Sequence, residues 1–444
     1  MSATLRVLMI AYYFPPCGGP SALRAVRWVR HLPDFGVQLT VIAPEAGVFP
    51  MVDESLAGLV PDSVEVRRVR AFLPSAHPAL RSVRGGSYSS SPGVSHSSPL
   101  RRGLRWLRDT LFVPDEYVGF SRAAAAEGLR LHRARAFDGL FTLSQPHSVH
   151  LAGRRLRRST GLPWAAQFGD PWMDNWFPPP SAFTRRLLEP RMERSVLREC
   201  DLVLGTTDRL RDRWRERFPE LPAERFRSLP AGYDELDFAG LGPEVFDRWT
   251  LVHIGNLYRD RSAGPFLDGL GAYLESNPGQ REGMRVVFAG AKDEENREQF
   301  DAAVRRHGLE GIVVDRGFTP HREALRMMLG ADALLYLGGE PPEGDINVAC
   351  KVFEYLRAAR PVLAVAREVE ATRILGRAPF FVRADRGDVA GVCRALERLR
   401  ALPAALPAPE APRDCEASVL ARTLADWFHE AVAARAAGRG QGGA

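Results

Sequence analysis

The apolar residues of the chain change their spacing several times within the first fifty residues. Residues 5–14 are a continuous β-prone run, which predicts a strand buried on both faces that ends at the Pro/Gly-rich turn 15–21. Apolar residues then recur at helical spacing, at Leu23, Val26, Val29 and, more loosely, Leu32. Residues 37–44 form a second apolar run. A strand, a glycine turn, a helix and a strand in this order predict a βαβ unit with a parallel sheet.

The same alternation continues along the chain. Further strands are predicted at residues 138–144, 162–168, 201–207, 251–255 and 284–290, with three more between 312 and 366. Helices are predicted at about 147–158, 265–277, 320–329 and 352–359. A polar, glycine-containing turn at 229–238 separates two such series. We therefore predict the α/β class with two Rossmann-like domains facing each other across a cleft, where the carboxyl ends of the strands would bind ligands.

The domain boundaries follow from these series. The N-terminal domain is predicted at residues 1–232 and the C-terminal domain at 233–412. A last helix within 413–436 is expected to pack back toward the N-terminal domain, followed by a disordered tail at 437–444. The Gly/Ser-rich, arginine-flanked stretch 81–105 is predicted to be a long mobile surface loop.

The composition excludes several classes of protein. A chain of 444 residues with 45% apolar and 26% charged residues is long enough to bury a large core, so it is neither disordered, nor fibrous, nor a disulfide scaffold. The five cysteines include no CxxC pair, which indicates neither a zinc site nor a disulfide framework and fits a reducing cytosol. No apolar run reaches 18 residues, so no membrane span is predicted.

The positive charge is almost entirely arginine. The formal net charge is +6, from 60 Lys+Arg against 54 Asp+Glu, and only Lys292 and Lys351 are lysines. Codon bias in a GC-rich genome explains such a skew without any function. A lysine retained against this bias nevertheless deserves inspection, because an ammonium group is a compact point charge that a guanidinium imitates poorly.

Two glycine turns follow predicted strands. Gly18 and Gly19 lie where backbone amides and a helix N-terminus favour an anion, although a plain tight turn is an equal alternative. Gly255 begins the corresponding turn of the second domain, which also carries Arg259 and Arg261. These guanidinium groups would suit a phosphate, and a solvated basic turn is the alternative.

Three further places carry candidate chemistry. Lys351 and Glu354 share one helix face, either as an intrahelical ion pair or as a phosphate and sugar-hydroxyl site. Asp170 and Trp172 follow a predicted strand, and a carboxylate among aromatic rings suits a carbohydrate ligand. For Trp172, packing in the core is the simpler alternative. His147 lies in a strand-to-helix turn where it either faces the cleft or packs inside.

Six stretches in this order resemble the family-4 glycosyltransferases of the GT-B fold, and most closely the bacterial branch with a K-x-F-E-Y-L motif. They are YYFPPCGGPSALR, SQPHSVHL, LPWAAQFGDPW, PAGYD, IGNLYRDR and CKVFEYLRAARPVLAV, and they span about residues 7–366. Each stretch alone is a weak signal, whereas the ordered set is fairly specific.

The resemblance implies a UDP- or GDP-linked sugar donor held mainly by the C-terminal domain and an acceptor on the N-terminal domain. It also implies transfer without a metal or other cofactor, with retention at the anomeric carbon. The donor-binding residues it implies are Gly18, Gly19, Gly255, Asn256, Arg261, Phe318, Asp345, Ile346, Lys351 and Glu354. The catalytic residues are Asp170, Arg261, Lys351 and Glu354, and the acceptor-side residues are His147, Asp170 and Trp172.

The chain departs from the family pattern at three places. Asn256 stands where the family has a phosphate-binding arginine, and Ile346 stands where it has the first of two glutamates. Asp345 or Glu343 would then substitute for that glutamate. Gly169 stands where many members carry a histidine or arginine before the aspartate that matches Asp170.

The expected partners are the donor and a lipid-linked, polysaccharide or small-molecule acceptor, at the inner face of the cytoplasmic membrane, because arginine-rich surface attracts anionic lipid. The expected location is therefore cytoplasmic, with peripheral membrane contact. Two alternatives stay open: a nucleotide-sugar epimerase or hydrolase of the same fold, and a non-catalytic nucleotide-sugar-binding homologue. Binding of nucleic acid is not expected, because the charge is dispersed and no such motif occurs.

Overall fold

A computed structural model describes residues 4–45, 49, 52–74, 99–173, 183–339, 346, 348–403 and 410–441. The chain divides into two compact units. Unit 1 contains the described residues up to Pro230 together with those from Ala417 onward, and unit 2 contains Ala231–Glu416. Asp345 and residues 81–98 of the expected loop lie outside the described residues.

Unit 1 is built on a parallel sheet of seven strands in the order β3-β2-β1-β4-β5-β6-β7. The strands are β1 (Leu5–Ala11), β2 (Val37–Pro44), β3 (Glu65–Val69), β4 (Gly139–Leu143), β5 (Trp164–Phe168), β6 (Leu202–Gly205) and β7 (Phe226–Ser228). Its helices are α1 (Pro20–His31), α2 (Pro99–Leu111), α3 (Val118–Ala134), α4 (Ser148–Thr160), α5 (Phe183–Glu199) and α6 (Asp208–Arg217).

Both faces of this sheet are covered, as the continuous apolar runs predict. Leu8 and Ile10 of β1 enter one core cluster, whereas Val7 and Met9 enter another on the opposite face, because successive strand residues point to opposite sides. The C-terminal helix, Ala417–Gln441, packs on the second face, where the Phe428 ring lies 5.5 Å from that of Phe141 in β4.

Unit 2 repeats the architecture with a parallel sheet of six strands in the order β10-β9-β8-β11-β12-β13. The strands are β8 (Trp249–Ile254), β9 (Met284–Ala289), β10 (Val313–Gly317), β11 (Ala333–Leu337), β12 (Val362–Val365) and β13 (Phe381–Ala384). The helices are α7 (Glu235–Phe238), α8 (Gly264–Ser276), α9 (Glu294–Arg306), α10 (His321–Gly330), α11 (Lys351–Ala358), α12 (Glu370–Leu375) and α13 (Val389–Arg400), and the C-terminal helix of unit 1 is α14.

The α/β class and the two parallel sheets are confirmed, and two local expectations are corrected. Residues 99–105 were expected within a mobile loop but begin α2, since the leucines from Leu100 to Leu111 recur at helical spacing. Helix α14 runs to Gln441, so 437–441 are helical where a disordered tail was expected. Its alanines and arginines are strong helix formers and outweigh the glycine cost.

No helix in the described part of the chain is long and apolar enough to cross a membrane.

Candidate functional site

Each sheet has one point at which the strand order reverses, and the candidate residues lie at these points. In unit 2 the reversal falls between β8 and β11, which are neighbours in the sheet but distant in sequence. Successive connections leave this point in opposite directions, so a crevice opens outside the carboxyl ends of the two strands. Gly255 follows β8 directly, and Lys351 is the first residue of α11.

The Lys351 side chain reaches over the turn at Gly255. A Cβ built at Gly255 would lie 2.7 Å from Lys351 Nζ, so any side chain there would displace the ammonium group. Gly255 also has a φ of 129°, which disfavours other residues. Gly255 therefore allows the backbone turn after β8 and also leaves room for the Lys351 side chain.

The ammonium group of Lys351 is buried, and the described residues offer it no hydrogen-bond partner. The residue is 8% exposed, and Nζ has no hydrogen-bond acceptor among the described residues. Its nearest described aromatic ring is that of Tyr336 on β11, with the centroid 5.7 Å from Nζ. Burial, and secondarily the positive charge of Arg261, lower the pKa of Lys351 well below its usual value. A buried cation without a described partner is costly to the free protein, and this supports the prediction that Lys351 binds an anion.

Lys292, the second lysine, shows the opposite situation. It is also buried, but its Nζ donates to Asp315 Oδ1 at 2.6 Å and lies 4.5 Å from the centroid of the Phe300 ring. This lysine is neutralised inside unit 2. The contrast between a paired and an unpaired lysine makes Lys351 the better ligand-binding candidate of the two.

Arg261 and Asn256 lie in the loop that leaves Gly255. Arg261 stacks on the Tyr258 ring, and its Nη1 donates to the Tyr258 hydroxyl at 3.3 Å. The positive charge of Arg261 contributes to the lowered pKa of Lys351, so the two side chains are close enough to interact electrostatically. Asn256 has a structural contact instead, since its Oδ1 accepts a hydrogen bond from the Ala291 amide at 2.9 Å.

Glu354 does not pair with Lys351. It is buried one turn further along α11, and its Oε1 lies 3.0 Å from Nε2 of His321 at the start of α10. The simple intrahelical ion pair is thus not formed among the described contacts. Sequence reasoning missed His321, because the two residues are brought together only by the packing of α10 against α11.

Three other predicted donor residues have different settings. Phe318 directly follows β10 and is exposed, so its ring is available at the carboxyl edge of the sheet. Ile346 is buried. Asp345 cannot be placed, since it lies outside the described residues.

His253 in β8 is a second residue that sequence reasoning missed. Its Nδ1 lies 2.9 Å from the Leu335 carbonyl oxygen in β11, which favours the proton on Nδ1. Burial, and next the charge of Lys351, lower the pKa of His253 well below its usual value. The imidazole is therefore neutral beneath the lysine and adds no further positive charge.

The glycine turn of unit 1 lies beside its own reversal point, between β1 and β4. Gly19 is the N-cap of α1, with a φ of 93°, and a Cβ there would meet no atom within 4 Å. Neither a capping side chain nor an acidic first turn occupies this helix end. Gly18, by contrast, is buried. The space on the side-chain side of Gly19 is therefore open at the N-terminal end of α1, which is compatible with the predicted anion site.

Asp170 follows β5 and meets Gln145, which follows the neighbouring strand β4. The Gln145 amide nitrogen Nε2 donates a hydrogen bond to Asp170 Oδ2. The preceding Gly169 is held on both sides, because its amide donates to Ser144 Oγ at 3.3 Å and its carbonyl accepts from Thr206 Oγ1 at 3.2 Å. The carboxylate therefore stands on a fixed backbone.

The space beside Gly169 is filled by a guanidinium from another element. A Cβ at Gly169 would lie 2.5 Å from Nη1 of Arg24, a residue of α1 that is 7% exposed. Neither Nε nor Nη1 of Arg24 has a hydrogen-bond acceptor in the described part of the chain. Gly169 thus lacks the basic side chain that many proteins of the predicted family carry before the aspartate. The guanidinium of Arg24 lies in the neighbouring space instead.

His147 and Trp172 are both buried and stack on each other, with centroids 5.1 Å apart and planes 4° from parallel. Burial, and then the charge of Arg185, lower the pKa of His147 to about 3, so this imidazole is neutral near pH 7. This packing favours the structural alternative for both residues, and their role toward an acceptor stays a prediction.

Comparison with solved structures identifies the fold. The chain resembles alpha,alpha-trehalose 6-phosphate synthase from Burkholderia multivorans, with a TM-score of 0.62, 14% identity and 99% of each chain covered. It also resembles sucrose-phosphate synthase from Thermosynechococcus elongatus, with a TM-score of 0.57, 14% identity and 98% of each chain covered. Anabaena HepE in complex with UDP and glucose has a TM-score of 0.60 and 12% identity, with 96% of this chain and 100% of that chain covered.

These similarities show that the chain shares the GT-B fold with these proteins. No protein-family model matches the sequence, and no curated protein matches it. The assignment therefore rests on the fold, and membership of family 4 remains a prediction.

Proposed function

We propose that this chain is a retaining glycosyltransferase that moves a hexosyl group from a UDP- or GDP-linked donor to a lipid-linked, polysaccharide or small-molecule acceptor. The observation that carries the proposal is the buried, unpaired ammonium group of Lys351 at the strand-order reversal of unit 2. This is where an open α/β sheet binds its ligand, and a diphosphate is the donor group that would compensate such a charge. The similarity to a structure in complex with UDP and glucose supports this choice of donor.

Lys351 and Arg261 would act on the leaving group. As the glycosidic bond breaks, the nucleoside diphosphate gains negative charge, and cations fixed in advance stabilise that charge without reorganising. Because folding lowers the pKa of Lys351 and a bound diphosphate would raise it again, donor binding would be coupled to proton uptake.

Glu354 and Phe318 would hold the remainder of the donor. The carboxylate of Glu354, oriented by His321, would accept hydrogen bonds from ribose or sugar hydroxyls. The exposed Phe318 ring would lie against the nucleobase, because an aromatic face suits a flat heterocycle. On unit 1, the amides at Gly18 and Gly19 would bind a phosphate oxygen, and Asp170 would accept a hydrogen bond from an acceptor hydroxyl.

The decisive experiment measures donor turnover with purified protein and a panel of UDP- and GDP-sugars. Release of nucleotide that requires an acceptor supports a transferase, and retained anomeric configuration supports the stereochemistry. Free sugar or an epimerised sugar without an acceptor would instead support a hydrolase or epimerase. Nucleotide binding without turnover, unaffected by Lys351→Ala, would support a non-catalytic homologue and overturn the proposal. Activity that survives EDTA would support transfer without a metal.

We also propose a bacterial, cytoplasmic protein of polysaccharide biosynthesis that contacts the inner face of the membrane peripherally. The arginine-rich surface supports this location, because the cytoplasmic leaflet is negatively charged. Cell fractionation with and without a high-salt wash would test it, since a peripheral protein leaves the membrane fraction at high salt.

A further inference from the structure

Helix α1 meets strand β5 through two contacts that lie one helical turn apart. Nε1 of Trp28 donates a hydrogen bond to Oε1 of Gln167 at 2.8 Å. Arg24, four residues earlier and on the same face of α1, lies beside Gly169, two residues beyond Gln167. Together these contacts hold the helix on the sheet, so the guanidinium of Arg24 is positioned at the carboxyl edge, where β5 ends.

This guanidinium lies across the strand-order reversal of unit 1. In the sheet, β4 lies between β1, which leads into α1, and β5. Ser144 directly follows β4, and its carbonyl oxygen would lie 3.0 Å from the same Cβ at Gly169 that Arg24 Nη1 approaches. This edge is where a doubly wound sheet binds its ligand. Asp170, the next residue, is partly exposed, so a ligand can reach the edge.

Hydrogen-bond donors exceed acceptors at this contact, in the part of the chain that the structure describes. Arg24 is 7% exposed, and its Nε and Nη1 have no acceptor there. Nε2 of Gln167, a fully buried residue, has none either. Arginine stays charged in proteins, so losing a proton cannot relieve the cost of burying this group. A bound anion would relieve it.

Arg157 of the same unit is also largely buried, but it is paired. Its side chain is 13% exposed, and its guanidinium donates to Asp201 Oδ1 at 2.9 Å and to the Gly161 carbonyl at 3.1 Å. Unit 1 thus neutralises this guanidinium with its own carboxylate, whereas the described residues offer none to Nε and Nη1 of Arg24. The planar fork of a guanidinium suits a phosphate, because it donates two parallel hydrogen bonds to it.

We propose that Arg24 binds a phosphate group carried by the acceptor. The inference rests on the proposed function for the identity of the ligand, since Lys351 in unit 2 is assigned to the donor diphosphate. Arg24 instead lies beside the residue that precedes Asp170, the proposed partner of an acceptor hydroxyl. The enzyme should therefore select phosphorylated acceptors over neutral ones, because a neutral acceptor leaves the guanidinium uncompensated.

Binding of inorganic phosphate to the full-length Lys351→Met protein tests the proposal, because this variant lacks the cation assigned to the donor. Thermal unfolding at increasing phosphate, against chloride at equal ionic strength, gives the affinity. We expect phosphate to bind Lys351→Met, and to bind Lys351→Met/Arg24→Met about 10- to 100-fold more weakly. Arg24→Met removes a buried charge and should raise the Tm without phosphate, so weaker binding would not result from unfolding.

Two further variants in the Lys351→Met background separate phosphate binding from other effects. Arg157→Met is the matched control, since it removes a largely buried arginine of the same unit. It should lower the Tm, because Asp201 loses its partner, and leave the phosphate affinity unchanged. Arg24→Lys keeps a positive charge without the planar fork and should show an intermediate loss of affinity.

Three results would overturn the proposal. The first is no phosphate binding by Lys351→Met, and the second is equal phosphate affinity with and without Arg24→Met. The third is a comparable loss of UDP affinity when Arg24→Met is made in the wild-type protein, which would assign the guanidinium to the donor. A wild-type protein that binds phosphate through Arg24 but binds no UDP would count against the proposed donor site alone.

Discussion

Replacing Lys351 by methionine tests the electrostatic argument most directly, because it should change stability and donor binding in opposite directions. Methionine keeps an unbranched apolar chain over Gly255 while removing the ammonium group. The buried charge, which no described acceptor compensates, disappears from the free protein. The same change removes the cation proposed for the diphosphate.

The expected gain in stability can be bounded. A lysine with the usual pKa of 10.5 pays about 5 kcal/mol to become neutral at pH 7, which sets the upper limit of what burial of Lys351 costs. Apolar replacements of buried ionic groups stabilise proteins by about 1–4 kcal/mol. We therefore expect Lys351→Met to stabilise unit 2 by about 1–3 kcal/mol, which corresponds to a Tm rise of about 2–4 °C per kcal/mol.

The pH dependence gives this gain a signature. The pKa of Lys351 is lowered by folding, so the unfolded chain binds a proton that the folded chain releases. Stability of the wild-type protein therefore rises toward pH 10.5 and is lost as the pH falls below it. The advantage of Lys351→Met should narrow with rising pH by at most about 1.4 kcal/mol per unit.

Lys292→Met is the matched control, since Lys292 is the other lysine and is also buried. It leaves Asp315 without its ammonium partner, so unit 2 should lose about 1–2 kcal/mol of stability. UDP binding, followed by calorimetry, should be unchanged in Lys292→Met and about 100-fold weaker in Lys351→Met. Lower stability of Lys351→Met with unchanged UDP affinity would show that the ammonium group is structural, and would refute the argument.

The remaining predictions use the same contacts. The UDP affinity of the wild-type protein should fall by up to tenfold per pH unit above the pKa that Lys351 has in the ligand-free protein. Calorimetry in buffers of different ionisation enthalpy should detect the accompanying proton uptake. Arg24→Met should raise the Tm, because it removes a buried guanidinium. Gly169→Ala should lower the Tm of the wild-type protein, and it should lower the Tm of the Arg24→Met variant by less. A double-mutant cycle measures this non-additivity. His321→Ala should weaken donor binding by about 1–2 kcal/mol without adding to Glu354→Gln, whereas additive losses would mean that the two residues act separately.

The sequence predicts the central strands of both sheets and the edge strand β10, but it misses the other three edge strands. Central strands such as β1 and β8 are buried on both faces, so their apolar runs are unambiguous. The edge strands β3, β7 and β13 were not predicted, because strands such as Glu65–Val69 are short, partly exposed and carry arginines. Incomplete burial thus weakens the hydrophobic pattern, although β10, which is also partly exposed, keeps enough of it to be predicted.

The candidate site was predictable only in part, for a similar reason. Lys351 and Glu354 stand in one motif on one helix, so the sequence brings both to notice. His321 precedes that motif by thirty residues, and His253 lies in another strand; neither shows a local pattern that links it to the site. Contacts between elements decide what each charged group does, and these contacts are not encoded at a fixed spacing.

Gly169 illustrates how a missing motif residue can mislead. In the sequence, a glycine in place of a basic residue before Asp170 indicates a lost charge. In the structure, the guanidinium of Arg24 from α1 lies where the missing side chain would begin, and a Cβ at Gly169 would lie 2.5 Å from it. The glycine is therefore required by the arginine, since only the absence of a side chain leaves room for a buried guanidinium. Arg24 thus places a guanidinium beside Asp170's neighbour Gly169, so the absence of a basic residue at position 169 does not mean that this part of unit 1 lacks a basic group.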